Sequence, residues 1–258
     1  MLHDLKDLKG FAIHAIDGNI GTVKDFYFDD QKWVVRYLII ETGSWLASRK
    51  VLISPMAIKH LNLDEKTFSI AITMEQVKNS PTIDTDKPVS RQHEIEHLDY
   101  FGYPYYWGDA DLWGLSPNPY MLNYDGMAKP NDTPEIARML AEVETMRHCH
   151  DDRHLRSYEA VIGYHIQVID GDIGHVDGML MDEQTWAIRY FIINTSNWWL
   201  GHQLLIQPLW IKEVNWPDAK VHIGLKQEEV KNAPHYNADV PFNPEQEARV
   251  HLYFGPKG

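Results

Sequence analysis

A repeat of constant register constrains this chain more than any other feature. Ile16-Asp-Gly-Asn-Ile-Gly21 precedes Trp33-Val-Val-Arg-Tyr-Leu-Ile-Ile40. Ile169-Asp-Gly-Asp-Ile-Gly174 and Trp186-Ala-Ile-Arg-Tyr-Phe-Ile-Ile193 follow, each 153 positions later. The register survives without insertion or deletion from Gly10/Gly163 through Val77-Lys-Asn79/Val230-Lys-Asn232 to Tyr100-Phe-Gly102/Tyr253-Phe-Gly255. Self-similarity at one spacing means a structural unit built twice. The spacing predicts a unit over about 1–105, its copy over 154–258, and a unique insert over 106–153.

Within each copy the pattern is that of short strands. Asp17-Gly18, set between apolar residues, predicts a tight hairpin, because glycine tolerates the positive φ such turns need. Trp33 to Thr42, dense in β-branched and aromatic residues, predicts a central strand. A second hairpin is expected between Ile58–Leu63 and Phe68–Ile72, turning at Asp64-Glu65. Thr73-Met-Glu-Gln76 has capping-box spacing and predicts a short helix ending before Pro81. The fold class expected is mainly β: two tandem small β-barrels with one amphipathic helix in the connecting insert. The expected divisions are a first barrel at 1–81 and an aromatic, proline-rich linker with a helix near 133–148 at 82–153. A second barrel follows at 154–235, then a tail at 236–258 equivalent to 83–105.

These motifs resemble the PRC-barrel family. That small β-barrel is shared by the cytoplasmic domain of the photosynthetic reaction-centre H subunit and the C-terminal domain of a ribosome maturation factor. The residues that carry the likeness are Gly163 to Val176, Trp186 to Tyr190 and Leu205 to Pro208, with Ile16 to Gly21, Trp33 to Tyr37 and Leu52 to Pro55 in the first copy. The flank from Pro88 to Glu94 and Tyr100 to Trp107 is similar to the tail of bacterial two-barrel members. The resemblance implies a docking module with no shared catalytic residues.

Composition limits the partners. The formal charge of −13 and the lack of a Lys/Arg stripe argue against nucleic acid. Met1 to Lys9 lacks the apolar core of a signal peptide, and no run reaches the ~18 apolar residues of a membrane span. The single cysteine, Cys149, excludes an internal disulfide. A cytoplasmic protein without cofactor is expected.

Residues kept in both copies serve what both barrels need. Gly18/Gly171 and Gly21/Gly174 are expected at turns and bulges, and Trp33/Trp186 with Tyr37/Tyr190 in the core. Arg36 and Arg189 are expected to clamp Asp29 and Asp182, with anion or partner binding as the alternative. The loop tryptophans Trp45, Trp198 and Trp199 are expected either to fold back over the barrel mouth or to anchor a partner. The aromatic insert with Trp107 and Trp113 is expected either to pack between barrels or against a symmetry mate or to meet an external partner. His148, His150, Asp151 and His154 offer imidazole and carboxylate ligands for zinc or nickel, although their spacing equally suits a helix C-terminus. No nucleophile elbow, phosphate loop or dinucleotide fingerprint is present.

The function expected is therefore a non-enzymatic protein-interaction or assembly module. Two alternatives stay open: a histidine-based metal-binding or pH-sensing protein, and an accessory subunit peripherally associated with a membrane electron-transport complex. The oligomeric state stays open as well, between internal pairing of the two copies and a homodimer.

Overall fold

The computed structural model describes residues 1–82, 89–107, 111–120, 154–195, 202–240 and 242–254. The helix expected at 133–148 lies outside them. The chain divides into two units. The first comprises Met1, Asp7–Tyr158 and Asp182–Ala187, and the second Leu2–Lys6, Glu159–Met181 and Ile188–Gly258.

In the first unit, β2 (Ala12–Ala15), β3 (Gly18–Asp29), β4 (Val34–Thr42), β5 (Lys50–Ile53), β6 (Ile58–Asn62) and β7 (Thr67–Ile70) form one coiled sheet in the order β5-β4-β3-β2-β7-β6. The second unit repeats that order with β9 (His165–Val168), β10 (Gly171–Asp182), β11 (Ile188–Asn194), β12 (Gln203–Ile206), β13 (Ile211–Asn215) and β14 (Lys220–Ile223). It adds β15 (His235–Tyr236) beside β12. Both are mainly-β small barrels made from one duplicated pattern.

The local reasons are the same in both. Each hairpin turns on Ile-Asp, with Ala15 opposite Gly18 and Val168 opposite Gly171. The turn lies one residue earlier than the Asp-Gly pair predicts. The aspartate then does a second job: its Oδ1 accepts from the first helical amide of the short helix below, Met74 for Asp17 and Gln227 for Asp170, both at 2.8 Å. Thr73 and Gln76 complete the expected capping box on Met74–Asn79. Gly21 and Gly174 sit where the neighbouring strand comes closest. A Cβ on either would stand 2.0 Å from a backbone oxygen, that of Glu41 or of Asn194.

Core residues also match across the copies, with exchanges of shape. Phe26 and Phe28 in one barrel correspond to Met179 and Met181 in the other, while Leu38 corresponds to Phe191, all buried. Such compensated swaps are what a close-packed interior tolerates. Trp33 and Trp186 have positive φ, 55° and 59°, and so stand in the turn before the strand and not on its face. Trp33 stacks on Phe28, and Trp186 is buried against Phe68.

One feature departs from simple tandem repetition. β3 is 12 residues long, and β2 pairs only its first half. Its far half is completed by β8 (Leu155–Ser157), with Tyr27 opposite Ser157 and Asp29 opposite Leu155. In the second unit the equivalent place on β10 is taken by β1 (Leu2–Asp4). Each copy thus lends its first strand to the other copy's sheet. Ser157 Oγ donates to Asp25 at 2.6 Å, and Arg156 reaches Asp30 at 2.7 Å. In the second unit Asp4 lies over Gly178, the counterpart of Asp25. On the other sheet Asp4 would confront Asp25, so like charge opposes the unswapped pairing.

Candidate functional site

Two helices absent from the expectation, Arg91–Phe101 and Pro244–Phe254, cover the outer face of each sheet. Beneath them lie matched apolar clusters: Tyr27, Tyr37, Ile39, Leu52, Val89 and Leu155 in the first unit. In the second they are Leu180, Tyr190, Ile192, Leu205 and Val250, with Leu2 and Phe242 packed alongside. These helices escaped detection because the first buries Arg91, Glu94 and His97 together with Leu98. A polar buried face leaves no hydrophobic period to read.

The candidate site is the polar cluster under the first helix. The pairing of β3 with β4 skips Arg36, since Tyr27 faces Tyr37 and Phe28 faces Val35. Such a bulge re-aims its extra side chain. The Arg36 side chain is fully buried, with Nη2 on Asp29 Oδ2 at 3.0 Å and Nη1 on the Leu112 carbonyl at 2.6 Å. Its guanidinium lies 3.8 Å from the Tyr106 ring centroid and 4.8 Å from that of Trp113. Arg91 lies over Trp107 at 4.1 Å. The Tyr106 hydroxyl donates to Glu94 Oε1. Glu94 Oε2 is 3.1 Å from Arg91 Nη1 and 2.8 Å from His154 Nε2, and that same imidazole nitrogen is 3.2 Å from the Tyr106 hydroxyl.

Burial and charge set the protonation. Burial alone would push the Asp29 carboxyl up, but Arg36 and the amides of Gln31 and Lys32 outweigh it and hold it below its usual range. Burial, reinforced by Glu94, keeps the Tyr37 and Tyr106 phenols protonated at any working pH. His97, edge-on to Tyr37 and beside Phe101, is fully enclosed, and burial lowers its pKa to about 3.

This has a measurable sign. Between the ordinary histidine value of 6.5 and about 3, the unfolded chain binds a proton at position 97 that the folded chain refuses. Stability therefore falls as pH drops through that window. His97→Phe is expected to flatten the slope of unfolding free energy against pH there. An unchanged slope would assign the effect to other groups.

The sequence candidates fall as follows. Arg36 pairs with Asp29 as expected. Arg189 does not pair with Asp182, whose carboxylate instead caps its own turn through the Gln184 and Thr185 amides. Arg189 reaches Glu247 at 3.5 Å. Trp45 is half-buried and donates Nε1 to the Ile20 carbonyl at 2.7 Å, folded back on the barrel. Trp107 and Trp113 are 5% and 1% exposed, so burial leaves them no surface to offer a partner. They cap the arginines instead. His154 is buried against Glu94. Trp198, Trp199, His148, His150 and Asp151 lie outside the described residues. Among the described residues, no three His, Cys, Asp or Glu side chains gather in a metal-binding group. Tyr106 and Glu94 were missed; the exact recurrence of Glu94 as Glu247 was the available signal.

The model of the PRC-barrel domain family matches residues 2–77, and the chain carries a PRC-barrel domain there. The second copy, outside that match, has the same strand order. An uncharacterized protein of Deinococcus radiodurans is 28% identical over 99 residues, covering 34% of this chain and 35% of that protein. The chain thus spans about a third of the length of that relative. No helix among the described residues is long and apolar enough to cross a membrane.

Proposed function

We propose that the protein is a non-enzymatic interaction module whose barrels hold peptide segments on their helix-covered faces. One observation carries this reading. In the first unit the converging charged groups, Arg36, Arg91, Glu94 and His154, are used to fasten a stretch of chain through Tyr106, Trp107 and Trp113. Aromatic side chains anchored by arginine and carboxylate are the chemistry of protein-recognition hot spots. The barrel face is therefore built to grip a segment, here one of its own.

Crosslinking in the native host, followed by mass spectrometry, is the test. A reproducible set of protein partners is expected. A chain that returns none above a matched control of the same size and charge would overturn the reading.

A further inference from the structure

The two helix-covered faces are equivalent in sequence but not in exposure. Arg36, Tyr37, Glu94 and Leu98 of the first unit correspond to Arg189, Tyr190, Glu247 and His251 of the second. The pairing of β10 with β11 skips Arg189, as that of β3 with β4 skips Arg36, so the same bulge turns the arginine out. In the first unit Arg36 and Glu94 have fully buried side chains. In the second, the side chains of Arg189 and Glu247 are 47% and 33% exposed, and that of His251 is 47% exposed.

The open face keeps two of the groups that hold Tyr106 in the closed one, Glu247 for Glu94 and Arg189 for Arg36, while Pro244 and Met1 stand at the positions of Arg91 and His154. Glu247 Oε1 lies 3.4 Å from the Tyr190 hydroxyl and 3.5 Å from the Arg189 guanidinium. The Tyr190 hydroxyl also meets His251 Nε2 at 3.2 Å, and Gln207 reaches the same nitrogen. Apolar surface adjoins it. Trp210 packs against Phe254, and both lie partly buried against the cluster of Tyr190 and Val250.

We propose that the face formed by Arg189, Tyr190, Gln207, Glu247 and His251 docks a tyrosine-bearing apolar segment of a partner protein. The phenol donates to the Glu247 carboxylate and the ring lies under the Arg189 guanidinium, as Tyr106 does with Glu94 and Arg36. Carboxylate and guanidinium select a neutral phenol, a donor with a π face; the Trp210 and Phe254 rings beside them select apolar neighbours. This rests on the interaction-module reading and assigns it a surface.

The probe is a labelled peptide with the sequence of residues 103–113, titrated against the full chain by fluorescence anisotropy. Saturable binding is expected. It should weaken about tenfold, the size of one charge-assisted hydrogen bond, when phenylalanine replaces the tyrosine at the Tyr106 position of the peptide. Glu247→Gln and Arg189→Ala in the protein should each weaken it similarly, with unfolding midpoints unchanged. A photoreactive group at that peptide position should crosslink to the Pro244–Phe254 helix.

No saturable binding, or binding indifferent to both variants, overturns the proposal. Crosslinks to the Arg91–Phe101 helix also overturn it, because the peptide would then be displacing the chain's own segment. Self-association of the full chain that both variants abolish makes a second copy the occupant and removes the separate partner. A native partner retained by the double variant sinks this surface and leaves the module reading standing.

Discussion

Glu94→Ala is expected to lower the stability of the first unit by about 3–5 kcal/mol, the cost of stranding buried charge. The Glu94 side chain has no exposure, and its carboxylate sits against Arg91, His154 and the Tyr106 hydroxyl. Its removal leaves the buried Arg91 guanidinium without its carboxylate. Denaturant unfolding with a probe in the first unit measures the loss. Combining Glu94→Ala with Arg91→Met should cost less than the two changes summed, since the second removes the charge the first strands. Glu247→Ala in the second unit should cost under about 1 kcal/mol, because an exposed pair gains little. Equal losses at the two positions would refute the asymmetry between them.

The next largest effect is steric. Gly21→Ala and Gly174→Ala each place a methyl 2.0 Å from a backbone oxygen at φ of 156° and 145°. Neither the carbonyl nor the bulge can move without breaking the adjacent ladder, so about 3 kcal/mol or more is expected at each. Gly10 is the control. Its φ is 81°, but nothing lies within 4 Å of a built Cβ. Gly10→Ala should cost only the left-handed backbone term, about 1 kcal/mol. Equal shifts in midpoint for Gly10→Ala and Gly21→Ala would mean that conformation and not close approach keeps these glycines.

How much the sequence disclosed depends on how local each signal is. The hairpins, the central strand and the capping box at Thr73 follow from neighbouring residues, and they form within a residue of where expected. The Arg36–Asp29 pair was legible because strand alternation and spacing place the two together. Its copy was not, because Arg189 pairs with Glu247 on a distant helix while Asp182 serves its turn. For the insert tryptophans both packing and docking stayed open, because aromatic content cannot distinguish a cap from an anchor. Trp107 and Trp113 are caps, covering arginines that no sequence window brings near them. The exchanged first strands are illegible for the same reason: β1 and β8 are three residues each, and their pairing is wholly non-local.

That exchange governs the order in which the protein can be completed during its own synthesis. When β3 has left the ribosome, the strand that finishes its edge, ending at Ser157, is still more than a hundred residues away. At roughly 5–20 residues per second the first sheet waits on the order of ten seconds with bare backbone groups along half of β3. Meanwhile Leu2–Asp4 are ready but belong to a sheet not yet made. A nascent chain of this kind is vulnerable to pairing with its neighbours on a polysome. Like charge between Asp4 and Asp25 disfavours the early strand on the wrong edge in the interval.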